Sequence, residues 1–289
     1  MSARPCGLVV DGSAAMIEDL GRGLAVVPLR IHIDGREFVD DGHTDSYAAF
    51  YRELRNGGSP TTSTPAPGEY LDAIRRLDAE HVVCLTIPAR WSGMYRSATV
   101  AAEMESEAAG GRRVTVVETP TAIGGLALVA RAVAEVCAAG AGLDDVLARV
   151  RAAAGDVRLF GSLSTLTYVA RSGRVNSLIA GISNSLHVRP VFRLEGGTPD
   201  RVALTRTVSG ALDALERVAV EQLDSIPQWL LVFHADAREE AAVLAQRLQD
   251  ATRVGRAEVV ELSPVGGAYT GPGAFGFAAL PLDGSEPAQ

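Results

Sequence analysis

The stretch PTTSTPAPGEY (60–70) sets three threonines, one serine and three prolines together, with no charge before Glu69. Hydroxyls can donate to an anion, and prolines fix the backbone that carries them. The composition is too polar for a strand and too proline-broken for a helix interior, so a rigid turn is predicted. Pro67 suits the first helical position and Glu69 the first turn, while Ala66 occupies the place of a capping hydroxyl. Thr62 is thus a candidate anion ligand; the other reading is a solvated, hydroxyl-rich turn.

Three further stretches carry candidate chemistry. TIPARWSG (86–93) closes an apolar run and delivers Ser92 and Gly93 to a helix start, where a hydroxyl beside unpaired amides makes an anion site. Ser92 as a plain cap of its own helix is the alternative. ARSGRVN (170–176) offers Arg174, whose guanidinium is either a fork for a carboxylate or an exposed surface charge. GGAYTGPGAFG (266–276) has glycines that allow close backbone approach, or simply a tight turn between strands.

Other chemistries lack their residues. The sequence has no GxxxxGK[ST] and no GxSxG, and its five histidines show no paired-ligand spacing. What remains is hydroxyls, amides and an arginine, which can hold an anion without a base, a metal or a cofactor. Ser92 as the nucleophile of a hydrolase or acyltransferase would need a histidine within reach, and no spacing promises one. A sensor for another small organic acid is a third reading.

The elements that must position these groups follow from periodicity. Apolar runs at 7–12, 82–89 and 114–119 alternate with helical patterns, which argues for a parallel sheet covered by helices. Alternation around Asp34-Gly35 predicts a hairpin. From about residue 158 strands meet through turns such as Glu195-Gly196-Gly197, with fewer crossovers. The fold class expected is α/β with two domains: a parallel-sheet domain over 1–157 carrying Thr62 and Ser92, and an α+β domain over 158–289 with a largely antiparallel sheet.

Composition narrows the setting. The 289 residues are 47% hydrophobic, and the formal net charge of −8 argues against nucleic acid. Three scattered cysteines suit a reducing cytoplasm rather than a disulfide framework or a zinc site. With no signal-like start and no long apolar run, a cytoplasmic protein without stable membrane insertion is expected.

VVDGSA, PTTSTPAPGEY, IPARWSGMYRSA, YVARSGRVNSLIAG, LHVRPVF and YTGPGAFG together resemble, in order, the DegV family of bacterial fatty-acid-binding proteins. That family includes the acyl-carrying subunits of fatty acid kinase. The resemblance covers nearly the whole chain and implies a two-domain fold with a fatty acid held between or within the domains. It places carboxylate contacts at Thr62, at Ser92 followed by Gly93, and at Arg174. It implies a long-chain fatty acid and a fatty acid kinase catalytic subunit as partners, with no catalysis by this chain. The sequence departs from the family pattern at Thr64, where Gln is usual, at Trp91, and at Tyr269, which stands in place of a histidine. A phenol there supplies a hydrogen bond without a positive charge near neutrality.

Overall fold

The N-terminal half is built on strands that stay apolar along their length because both faces are covered. In chain order it comprises β1 (Arg4–Asp11), a single 3-10 turn (Gly12–Ala14), β2 (Leu24–Val27), β3 (Leu29–Ile33), β4 (Arg36–Asp40), α1 (Tyr47–Arg55), β5 (Pro60–Thr62) and α2 (Pro67–Arg76). β6 (Ala79–Thr86), α3 (Met94–Glu107), β7 (Arg113–Glu118), α4 (Ile123–Ala138) and α5 (Leu143–Asp156) follow. The computed structural model describes residues 4–14, 23–41, 47–108, 110–173, 188–223 and 226–282.

Four strands make a parallel sheet in the order β2-β1-β6-β7. At Pro28 the chain leaves this sheet, since proline has no N–H to donate to a ladder. β3 then pairs with β4 through the expected hairpin, where Asp34 and Gly35 have φ of 48° and 83°. The turn predicted for 60–70 is partly wrong. Pro60–Thr62 is a strand, β5, paired antiparallel with β3 (Ile31 opposite Thr62). As an edge strand of a three-stranded sheet it tolerates both proline and polar side chains.

The C-terminal half contains β8 (Arg158–Ser162), α6 (Thr167–Ser172), β9 (Arg189–Glu195), β10 (Thr198–Thr205), α7 (Val208–Gln222) and β11 (Gln228–Ala235). It ends with α8 (Arg238–Ala251), β12 (Val254–Glu261), α9 (Pro264–Thr270) and β13 (Ala274–Pro281). Its six strands run in the order β10-β9-β8-β13-β11-β12 and are antiparallel except for β11 and β12. That pair is parallel and needs the crossover helix α8 between its strands. The β9–β10 turn passes through Gly196 and Gly197, both at positive φ, where glycine is unstrained.

The halves meet along α4. This helix is buried around most of its circumference, as an apolar all-round pattern requires. It packs on β1 on one side and on β8, β11 and β13 on the other. Gly124 permits the approach: a Cβ there would stand 2.5 Å from the Phe233 ring. α9 reaches back across the seam to pack on α1 and the three-stranded sheet, and the Tyr51 hydroxyl donates to the Leu262 carbonyl at 2.7 Å.

Candidate functional site

Thr62 is fixed by its ladder with β3, and the next amide, Ser63 N–H, donates to Arg30 O at 3.2 Å. After it the chain enters α2 through Pro67. Ala66 has no capping side chain, but the Glu69 carboxylate accepts the Ala66 N–H at 2.8 Å, one half of a capping box. Glu69 therefore anchors the hydroxyl-bearing segment to a helix.

Ser92 lies past the carboxyl end of β6, where ligands of parallel sheets gather. It is not the helix cap: Gly93 occupies that position and α3 starts at Met94. Ser92 Oγ accepts the Met94 N–H at 3.4 Å, so its own proton stays available to a ligand. Gly93 brings the two loops into contact, because a Cβ on it would touch Thr64 Cγ2 at 3.4 Å.

Tyr269 comes from the other half of the chain. The stretch 266–276 is not a plain turn: residues up to Thr270 belong to α9, and the turn follows at Gly271 and Gly273, with φ of 74° and 81°. α9 carries the Tyr269 hydroxyl to Thr62 Oγ1, with which it shares a short hydrogen bond. When Tyr269 donates, Thr62 keeps its own proton for a ligand.

Thr62, Ser92 and Tyr269 line one cavity with about 970 Å³ of empty space counted out to its mouth. Both halves of the chain wall it. Leu29, Ile87 and Trp91 come from the first, and Leu159, Phe192 and Leu194 from the second. No described lining residue is charged. A neighbouring depression shares Thr62, Ser172 and Tyr269 with the cavity and adds Arg171, at the end of α6. Arg174 lies outside the described residues. Arg171 itself reaches Ser59 Oγ at 3.4 Å.

Sequence reading did not single out Ser13, Ser172 or Thr270, which also line the cavity. Ser13 could have been found, because Asp-x-Ser at a strand end is the signature of an Asx turn. Asp11 Oδ1 accepts the Ser13 N–H at 2.9 Å and also the Ser13 hydroxyl. Asp11 is completely buried, and loss of water around its charged form raises its pKa to about 6. Ser172 and Thr270 sit at the ends of short helices whose existence the sequence did not announce.

The arrangement suits an amphiphile. Neutral donors at one end solvate an anion without a counter-charge, and the remaining wall accepts hydrocarbon. Among the described residues no group of three His, Cys, Asp or Glu could hold a metal ion. No described helix is long and apolar enough to cross a membrane.

Known proteins share this architecture. A family model described as "Uncharacterised protein, DegV family" matches residues 5–282. A DegV domain-containing protein of Streptomyces coelicolor is 31% identical over 258 residues, covering 88% of this chain and 90% of that protein. A solved DegV-family structure from Thermus thermophilus, described by its fatty acid binding, has a TM-score of 0.84 and 28% identity, covering 96% of this chain and all of that one. A DegV lipid-binding protein from Thermotoga maritima has a TM-score of 0.85 at 24% identity over 98% and 99% of the two chains, a likeness of fold. With the family model running from the first strand to the last and a relative above 30% identity across most of both sequences, the chain belongs to the DegV family.

Proposed function

We propose that the protein is a cytoplasmic carrier of a long-chain fatty acid, which buries the acyl chain and holds the carboxylate at Thr62, Ser92 and Tyr269. The observation that carries this is the largely apolar cavity between the two halves, with neutral hydroxyl donors from both of them. The fatty acid binding described for the relative from Thermus thermophilus supports it. Each buried methylene contributes about 0.8 kcal/mol, so the tail supplies most of the affinity and the donors keep the carboxylate from being buried unpaired.

In this reading the chain catalyses nothing, uses no cofactor, and presents the carboxylate to the catalytic subunit of a fatty acid kinase. Of the described histidines, His32, His81 and His234, none lines the cavity, so none is placed to take the Ser92 proton. The depression beside Thr62 and Tyr269, with Arg171 on its rim, is the place where a partner would reach the head group.

The test is direct. Protein purified from a bacterial host, denatured and examined by mass spectrometry, should release a stoichiometric fatty acid. The Thr62→Ala, Ser92→Ala double variant should bind the same acid at least tenfold more weakly while keeping its fold, from the loss of charge-assisted hydrogen bonds. Unchanged retention would remove the site; an empty protein that cleaves esters would replace the carrier with an enzyme.

A further inference from the structure

The inner face of the six-stranded sheet carries one row of unusual make-up. Phe192, Gly161, Gly276 and Phe233 are ladder partners in turn across β9, β8, β13 and β11. Residues directly opposite each other in an antiparallel ladder point to the same face, so all four share one. The row has a ring at each end and no side chain in the middle. Each ring lies down over the glycine beside it. A Cβ on Gly276 would stand 2.7 Å from Phe233 Cζ, and a Cβ on Gly161 would stand 2.8 Å from Phe192 Cζ and 3.0 Å from its Cε1.

The two ends of the row differ in what covers them. Phe233 is fully buried, with α4 closed over it at Gly124. Phe192 is 8% exposed and lines the cavity. Leu159, Gly161 and Leu163 alternate onto the same face along β8 and just past its end, and both leucines line the cavity. Gly161 leaves a gap between them, and the Phe192 ring occupies it. The backbone does not demand this glycine, because its φ is not positive. Space demands it: a side chain on Gly161 would lift the ring off the strand. With the sheet behind it, a lifted ring moves out into the cavity.

We propose that Gly161 and Phe192 act as a pair that sets the length of acyl chain the cavity admits. The glycine holds the ring down, and the ring limits how much hydrocarbon the wall beside Leu159 and Leu194 can receive. This rests on the fatty-acid reading above and names the residues that fix its chain-length preference.

Displacement of a fluorescent fatty acid from the delipidated full chain, by saturated acids lengthened one carbon at a time from dodecanoic to docosanoic acid, tests the proposal. Affinity should rise about fourfold per methylene and then stop rising at one length. Phe192→Leu should move that break to longer acids, with a gain of about fourfold for the first acid beyond it. Gly161→Ala should move it to shorter acids, with a loss of about fourfold or more for the acid at the break. The double variant should bring the break back toward its original length, because leucine does not reach over position 161 as the ring does. A purely structural weakening would lower all affinities together and leave the break in place. Phe192→Leu decides the case if Gly161→Ala does not fold. A break unmoved in Phe192→Leu, or moved the same way by both single variants, overturns the proposal. Failure of every acid to bind removes the carrier reading and this proposal with it; normal binding with an unmoved break removes this one alone.

Discussion

The two walls of the cavity are made in different ways. The N-terminal half contributes hydroxyls on loops and short turns at strand ends: Ser13 after β1, Thr62 at the end of β5 and Ser92 after β6. The C-terminal half contributes the face of a six-stranded sheet, whose alternation sorts its residues cleanly. On β9, Phe192 and Leu194 face the cavity while Val191 packs beneath α7. On β11, Trp229, Leu231 and Phe233 turn toward α4, and Leu230 and Val232 turn away. The first wall therefore sets exchangeable hydroxyls on loops beside its apolar residues, and the second adds Ser172, Tyr269 and Thr270 to stiff packing with period two. Changes in the loop hydroxyls should alter how the head group is held, and changes in the packed sheet away from the cavity should alter whether the protein stands.

The largest expected effect comes from breaking the stiff wall. Phe233 is fully buried against Gly124 and Gly276, and Phe233→Ala should cost about 3–5 kcal/mol. Urea unfolding reads this as a lower midpoint at constant slope. A loss below about 1 kcal/mol would show a wall that collapses freely, contrary to the contrast drawn above.

An intermediate effect comes from the polar side. The native Asp11 carboxyl is raised from 3.8 to about 6 by burial, so between those values the folded chain binds more protons than the unfolded one. Its contribution to stability is full below about pH 4 and is lost as pH rises through 6. Asp11→Asn keeps an oxygen for the two Ser13 bonds and removes the charge. It should stabilise the protein by about 1–3 kcal/mol at pH 7, with little gain at pH 4. His234, lowered chiefly by burial, acts the other way below its unfolded value, and Glu261, raised chiefly by burial, acts the same way as Asp11. The difference between variant and wild type isolates Asp11, and a gain independent of pH would mean that its charge is not the cause.

The smallest effect is at the seam. Arg90 donates to Gly196 O at 2.9 Å and Thr198 Oγ1 at 3.0 Å, tying the Ser92 loop to the tip of the β9–β10 hairpin. These contacts are exposed, so Arg90→Ala should change stability by less than about 1 kcal/mol. A loss of several kcal/mol would show that surface contacts, rather than α4 and the sheets, hold the two walls together.

Much of this was legible from residue types. The Asp34-Gly35 hairpin, the apolar strands of the first sheet and the amphipathic α7 and α8 follow from local rules that need no partner. Thr62 and Ser92 stood out because proline-held hydroxyls and a serine at a strand-to-helix junction are local features as well. Three things were misread or missed. Pro60–Thr62 pairs as a strand only because β3 has a free edge beside it. Gly93 rather than Ser92 is the cap of α3, which starts at Met94, a difference of one residue in backbone geometry. Ser13 and Thr270 were passed over, although both line the cavity.

By itself the sequence determined most of the apolar strands and the longer helices, and which hydroxyls could meet an anion, because those depend on side chains a few residues apart. The tertiary structure alone decided that Thr62 meets Tyr269, that Phe192 and Leu194 face the same space as Ser92, and which hydroxyls still have a proton to give. Those facts depend on groups brought together from distant parts of the chain, and hydrogen-bond direction is settled only when both partners are in place.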